Sequence, residues 1–307
     1  MTTFPLWLLW ALAGHLANGA AFVIDKTLLR KSFKHPATYA GIIGAMGVLA
    51  LILIPFGVHV PDATGWFWIV VSGMTFIVSL WVFFAALRAG EASRVVPIIG
   101  SLIPILTLAG TTLFLGERLT QSQLLGFGLL IVATVILSGG AAHSRLTRKT
   151  VGLAIFAAAV FAFSSVAGKI AYESDGFLTT FAISRIAGAV AAVLILCIDR
   201  GAARELKASL FGGRRTGRIG THTAVVLVFV AQTLGALGFV GVQYATSLGS
   251  AALVNALQAV QYALLVVVAF ALHRRAPDLL GEDLTTATVI RKVVALAVVG
   301  AGLWLVV

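Results

Sequence analysis

The segments LGERLT at 115–120 and LGEDLT at 280–285 agree at five of six letters in a chain otherwise dominated by Ala, Val, Leu, Ile and Gly. A polar phrase written twice, 165 residues apart, in so apolar a chain marks an internal repeat. Flanking segments align around it. ATYAGIIGAMGV at 37–48 parallels TTFAISRIAGAV at 179–190, and ALRAGEASRVVP at 86–97 parallels YATSLGSAALVN at 244–255. The offset grows along the chain because the second copy carries insertions, chiefly 212–220 and 273–279. The chain divides accordingly into repeats 1–142 and 143–307.

Composition says where the repeats reside. Hydrophobic residues make up 60% of the 307 and charged residues 11%, against about 25% charged in soluble proteins. Ten apolar runs, at 4–24, 37–56, 65–87, 94–115, 122–139, 151–171, 178–199, 221–243, 249–272 and 289–307, meet or approach the roughly 20 residues that a membrane crossing needs. Lipid offers no partner to unpaired backbone groups, so such spans are helices. The expected fold is an all-α integral membrane bundle of ten transmembrane helices, five per repeat. Five is odd, so the second repeat enters the membrane inverted, the arrangement in which secondary transporters place their site near the midplane between the repeats. The first run has no basic residue before it and exceeds a signal-peptide core, so it reads as helix 1. The single cysteine, Cys197, excludes an intramolecular disulfide and a cysteine-based metal site, and is expected as a small buried packing residue.

The net charge of +11 comes from 22 basic and 11 acidic residues. Nineteen of the basic residues fall in or beside the turns that follow odd-numbered helices, such as Lys26, Arg145, Arg204 and Arg274; on the other side stands Arg118, while Lys169 and Arg185 belong to spans. Cytoplasmic loops are the ones enriched in Lys and Arg. Both termini are therefore expected outside a prokaryotic inner (plasma) membrane, and the basic balance speaks for the lipid bilayer as partner rather than nucleic acid.

The sequence around these features resembles a known family. AL-x-x-GEAS at 86–93, GSLIPILTLAG at 100–110 with its internal proline, and LFLGERLTQSQLLGFGLLIVATVIL at 113–137 look like the EamA-type repeat of the drug/metabolite transporter superfamily. The second repeat departs from it: Tyr262 stands at the proline position, and the loop between helices 9 and 10 is enlarged. The resemblance implies a carrier of small metabolites, amino acids or related solutes. It also implies cytoplasmic termini, which the loop charges oppose; the expected orientation follows the charges.

Within the repeated phrase, Gly116 and Gly281 suit the left-handed residue that closes a helix, and Thr120 with Gln123 has the spacing of a capping box opening helix 5. Glu117 and Glu282 sit at the membrane edge and read as structural. Chemistry is sought among polar residues inside spans, where each is costly unless it meets a partner or a cavity. His15, Asn18 and Asp25 share a face of helix 1. His15 can bind substrate or carry a coupling proton, or serve as a neutral histidine bonded to a neighbouring helix. Asn255, Gln258 and Gln261 recur every three residues of helix 9 beside Tyr262, and their amides both donate and accept. Gln232 and Thr233 on helix 8 join the candidates. Pro97 and Pro104 free backbone carbonyls in helix 4, as a cavity lining or as a kink. Arg185 keeps its charge and needs an anion, either Asp175 or Glu173 or a substrate carboxylate or phosphate; Lys169 assists it or snorkels to the interface.

These residues suit a small-molecule substrate that is polar and anionic or zwitterionic. No HExxH, GxSxG, Walker or paired-carboxylate pattern is present, the six histidines are scattered, and no cofactor is implied. With no ATP-binding domain, a solute or ion gradient is the energy source, with a proton or another cation open as the coupling ion. A flippase for a lipid-linked carrier and a non-transporting structural subunit are the alternatives to a secondary transporter.

Overall fold

The computed structural model describes residues 5–28, 34–138, 146–211, 221–272 and 285–307, and no strand occurs among them. Helix α1 spans Leu6–Leu28, α2 Pro36–Met46, α3 Ala63–Ala89, α4 Ala92–Leu115, α5 Gln121–Ser138 and α6 Arg148–Ile198. They are followed by α7 (Arg200–Phe211), α8 (Thr221–Leu248), α9 (Ala251–Ala256), α10 (Gln258–Leu272) and α11 (Thr286–Val306). Among the described residues, eight helical segments are long and apolar enough to cross a membrane. The chain is an all-helical, multi-pass membrane protein.

Several helices are interrupted. After Met46 the chain tightens into a 3-10 helix over Gly47–Phe56, which ends at Gly57 with φ 107°. Helix α6 has 51 residues; at 1.5 Å per residue this is about 76 Å, more than twice the hydrocarbon thickness of a bilayer. It breaks at Gly176, whose φ of 70° and ψ of 174° interrupt the helix at a residue with no Cβ to oppose it. Two arms result, 148–175 and 177–198. Helix α4 stays helical through Pro97 and Pro104. The helix that tightens is the proline-free one after Ser250, where Leu257, between Ala256 and Gln258, keeps right-handed φ and ψ of −64° and −5°.

The repeated phrase does act as punctuation where it is described. Gly116 closes α4 with φ 65°. Thr120 Oγ1 accepts from Gln123 N at 3.2 Å while Gln123 Oε1 accepts from Thr120 N at 3.0 Å, a reciprocal capping box on α5. In the second copy Thr285 Oγ1 accepts from Thr288 N at 3.3 Å to open α11; Gly281 and Glu282 lie outside the described residues.

The described chain forms two compact units, each drawing on early and late parts of the sequence. One contains α1, α5, α8, α9, α10 and α11; the other contains α2, the 3-10 helix, α3, α4, α6 and α7. Large apolar side chains such as Phe67, Phe229 and Trp304 are exposed, whereas the buried positions are largely Ala, Gly, Ser and Thr. This distribution suits lipid surroundings, since acyl chains give no reason to bury Leu or Phe and helices associate through small residues that let backbones approach. In the first unit α1 and α8 meet at Gly14 and Gly238; a Cβ on Gly14 would lie 2.8 Å from the Gly238 oxygen. Helices α5 and α11 meet at Gly126 and Gly302 in the same way. In the second unit α3 lies along both arms of α6. Ser72 and Ser164 exchange hydrogen bonds, each hydroxyl donating to the other's carbonyl at 3.1 and 2.8 Å. A Cβ on Gly73 would collide with the Ser184 carbonyl.

Two sequence expectations change. Cys197 is exposed rather than buried, because Ala191, Ala192 and Ile195 form the inward stripe of that arm and Cys197 falls off it. Lys292, one of the nineteen basic residues expected in or beside the turns, here between the ninth and tenth spans, lies inside α11 and is buried.

Candidate functional site

In the first unit, the tight α1–α8 contact sets the position of the polar face of α1. Asn18 packs against Gly238, where any Cβ would strike its Oδ1, and Gly19 leaves room for Gln261 and Leu264 of α10. His15 is buried, with 6% of its surface exposed. Its Nε2 lies 2.9 Å from the carbonyl oxygen of Val254 in α9. A carbonyl can only accept, so Nε2 carries the proton and donates. The side chain of Gln261 is a second hydrogen-bond partner of the ring.

The Val254 carbonyl belongs to the interrupted helix. At Leu257 ψ is −5°, and Val260 N donates to Leu257 O at 2.9 Å in a tightened turn. The interruption falls within the polar stripe. Asn255 precedes it; Gln258 follows it and donates from Nε2 to the Tyr262 hydroxyl at 3.1 Å. The structure therefore groups His15 with Gln261 and the α9–α10 break, and Gln258 with Tyr262. Asn18 lies on the same helix face as His15, and Asn255 is half-buried. Gln232 and Thr233 are exposed on α8. The side chain of Asp25 lies outside the described residues.

The second unit holds Lys169 and Arg185. Lys169 Nζ pairs with Glu173 Oε1 at 3.4 Å, one turn along the first arm of α6. Arg185, on the second arm, places its guanidinium carbon 4.6 Å from the centre of the Phe76 ring and 5.9 Å from that of Phe181, in reach of cation–π attraction. The carboxylate of Asp175 is bonded elsewhere: Oδ1 lies 3.2 Å from His59 Nε2 and Oδ2 accepts from the Ser174 hydroxyl at 2.6 Å. His59 Nδ1 in turn lies 2.8 Å from Thr179 Oγ1. This Asp175–His59–Thr179 chain ties the turn before α3 to α6 on either side of Gly176. Next to it the 3-10 helix, α3 and the second arm of α6 border an open groove of about 490 Å³, lined by apolar residues such as Ile54, Trp66, Met74 and Ile186, with His59 as its polar exception.

Residues 5–139 match the EamA-like transporter family. The chain belongs to that family, within the drug/metabolite transporter superfamily. An uncharacterized protein of Methanocaldococcus jannaschii is 31% identical over 97 residues, which cover 32% of this chain and 70% of that one. A protein of known crystal structure is 19% identical, over 96% of this chain and 98% of its own, with a TM-score of 0.61, a likeness of fold alone. EamA-like proteins are transporters rather than enzymes, which makes a lipid bilayer and a small-molecule substrate the setting for the two polar groups. For a transporter of this family, donors and acceptors that sort solutes are the relevant chemistry. The sequence did not foretell the Val254 carbonyl, the Leu257 break, the Phe76 platform or His59. His59 and Phe76 carried no periodic signal, and the Val254 contact joins residues 239 positions apart.

Proposed function

We propose that the chain is a secondary transporter of ten membrane-crossing helices in two inverted five-helix repeats, 1–142 and 143–307, and that it moves a small polar metabolite by alternating access. The helix pairings support the inverted repeat. Helix α3 packs on α6 through small residues, and α8 packs on α1 likewise; in the ten-helix count these are the third with the sixth and the eighth with the first, positions that the repeat exchanges. The broken α6 supplies the sixth and seventh spans.

The observation that carries the transport reading is the interruption at Leu257 inside the amide stripe. Discontinuous helices at membrane depth are tolerated where they are buried in protein or line a water-filled cavity, and transporter sites are commonly built on them. His15, Asn18, Asn255, Gln258, Gln261 and Tyr262 then line the solute path, with Gln232 farther along α8. Lys169 and Arg185 are the candidates for meeting an anionic group. A proton or another cation remains the candidate coupling ion. In reconstituted vesicles Gln258→Ala and Gln261→Ala should each lower transport at least about tenfold, the worth of one or two hydrogen bonds, at near-normal folded yield. Full transport in both variants removes the stripe from the path.

The apolar groove in the second unit favours one other reading, a flippase for a lipid-linked carrier. Filling it with Ala187→Phe should abolish activity on that reading and spare transport of a polar solute on the first.

A further inference from the structure

We propose that the basic face of α7 docks on the headgroups of anionic phospholipids in the adjoining leaflet, a role independent of the solute carried. Helix α7 starts two residues after Ile198, the last residue of α6. That arm of α6 ends in Val193, Leu194 and Ile198, each at least half exposed, as suits a surface turned to acyl chains. Helix α7 therefore begins where the lipid-facing surface stops, at the level of the headgroups.

The helix is clamped by its opposite face. Ala202 is buried, a Cβ on Gly201 would strike the His35 ring, and the Glu205 carboxylate accepts from the start of α2. Asp199, just before α7, accepts from Ala202 N at 2.9 Å and lies 3.4 Å from His35 Nδ1. Both carboxylates are thus committed to the start of α2 and to the first turn of α7 itself.

Arg200, Arg204 and Lys207 are exposed. At about 100° per residue they fall within an arc of about 60°, on the side of the helix away from Ala202 and Glu205. Among the described residues, none of the three has a carboxylate within ion-pair distance. Three cations held in a row at the membrane edge lack a counter-charge from the chain, and anionic headgroups supply it. Because the other face of α7 packs on protein and not in the acyl layer, the attraction is electrostatic. Salt should weaken it.

The test uses the full-length protein in nanodiscs of equal parts phosphatidylglycerol and phosphatidylcholine, with retained lipids counted by native mass spectrometry. Each basic side chain near an anionic surface is worth roughly fivefold in binding. The triple variant Arg200→Gln, Arg204→Gln, Lys207→Gln should therefore lose at least about tenfold of the preference for phosphatidylglycerol, and Arg204→Gln alone about fivefold. The charge-preserving variant Arg200→Lys, Arg204→Lys, Lys207→Arg should keep it. In pure phosphatidylcholine the triple variant and the wild type should unfold at the same temperature. An undiminished preference in the triple variant or in Arg204→Gln overturns the proposal, as does equal loss in the charge-preserving variant or a lowered unfolding temperature in phosphatidylcholine. Release of the bound phosphatidylglycerol by inorganic phosphate, beyond that by chloride at equal ionic strength, would assign the face to a soluble anion and overturn it too.

Discussion

Arg185 shows how much one residue asks of its surroundings. Placing a guanidinium within a span costs at least about 2.5 kcal/mol on insertion scales, and stacking over Phe76 and Phe181 returns part of it, about 2 kcal/mol for a desolvated pair. A planar guanidinium is the side chain that matches a carboxylate or phosphate with two parallel bonds. Lysine carries the same charge without the plane. Arg185→Lys should therefore weaken transport of an anionic or zwitterionic solute by tenfold or more while Asp175→Asn leaves it unchanged, both measured in vesicles at matched folded yield. Equal defects in the two variants would mark Arg185 as structural. The sequence identified this position, because a basic residue amid apolar ones is conspicuous. It could not identify Phe76, since an aromatic residue in an apolar helix looks like its neighbours. The same limit hid the role of Val254: its side chain says nothing about a carbonyl that another helix claims.

At the scale of elements, local chemistry was the most readable. The capping box at Thr120 and the closing glycine at 116 needed only consecutive letters, and both formed as expected. Elements finished by distant groups were not readable. Helix α2 has no cap of its own; His35 at its N-cap makes no side-chain capping bond. Glu205 of α7 performs the task from 170 residues away, its carboxylate accepting from the Lys34 and His35 backbone N–H groups at 2.7 and 3.0 Å and from the Thr38 hydroxyl at 2.8 Å. Partial burial pushes the Glu205 carboxyl upward, but the two backbone bonds, the Thr38 bond and His35 together outweigh it and hold its pKa below the usual value. A carboxylate with a depressed pKa stabilises the fold above its unfolded pKa and loses that contribution as pH falls through the folded one. Glu205→Ala should cost about 1 kcal/mol of stability near neutral pH, as loss of a helix cap does. In thermal unfolding the gap between variant and wild type should close on acidification below about pH 4. A gap that persists undiminished there would assign the effect to packing instead of charge.

For the whole molecule, composition alone decided membrane residence, and the repeated phrase marked the places where helices stop and start. The grouping of helices into units was beyond it, because small residues distributed along every span do not say which partner each one admits. Orientation is a molecular property too. On the proposed ten-span count, the basic residues concentrated after odd-numbered spans predict cytoplasmic turns there and both ends of the bundle outside. A phosphatase or fluorescent reporter joined after Val307 should be active in the exterior configuration; a reporter that works only in the cytoplasm reverses the assignment.

Both compact units borrow helices from the beginning and the end of the chain, and this has a consequence for biosynthesis. When the first five helices have left the ribosome, α1 still waits for α8, α3 and α4 for α6, and α5 for α11. The glycine and serine faces that will lock them together spend that interval against lipid or against the insertion machinery. A ribosome that stops midway thus releases not half of a working protein but a set of helices whose partners were never made, and membrane quality control has an unmatched surface by which to know it.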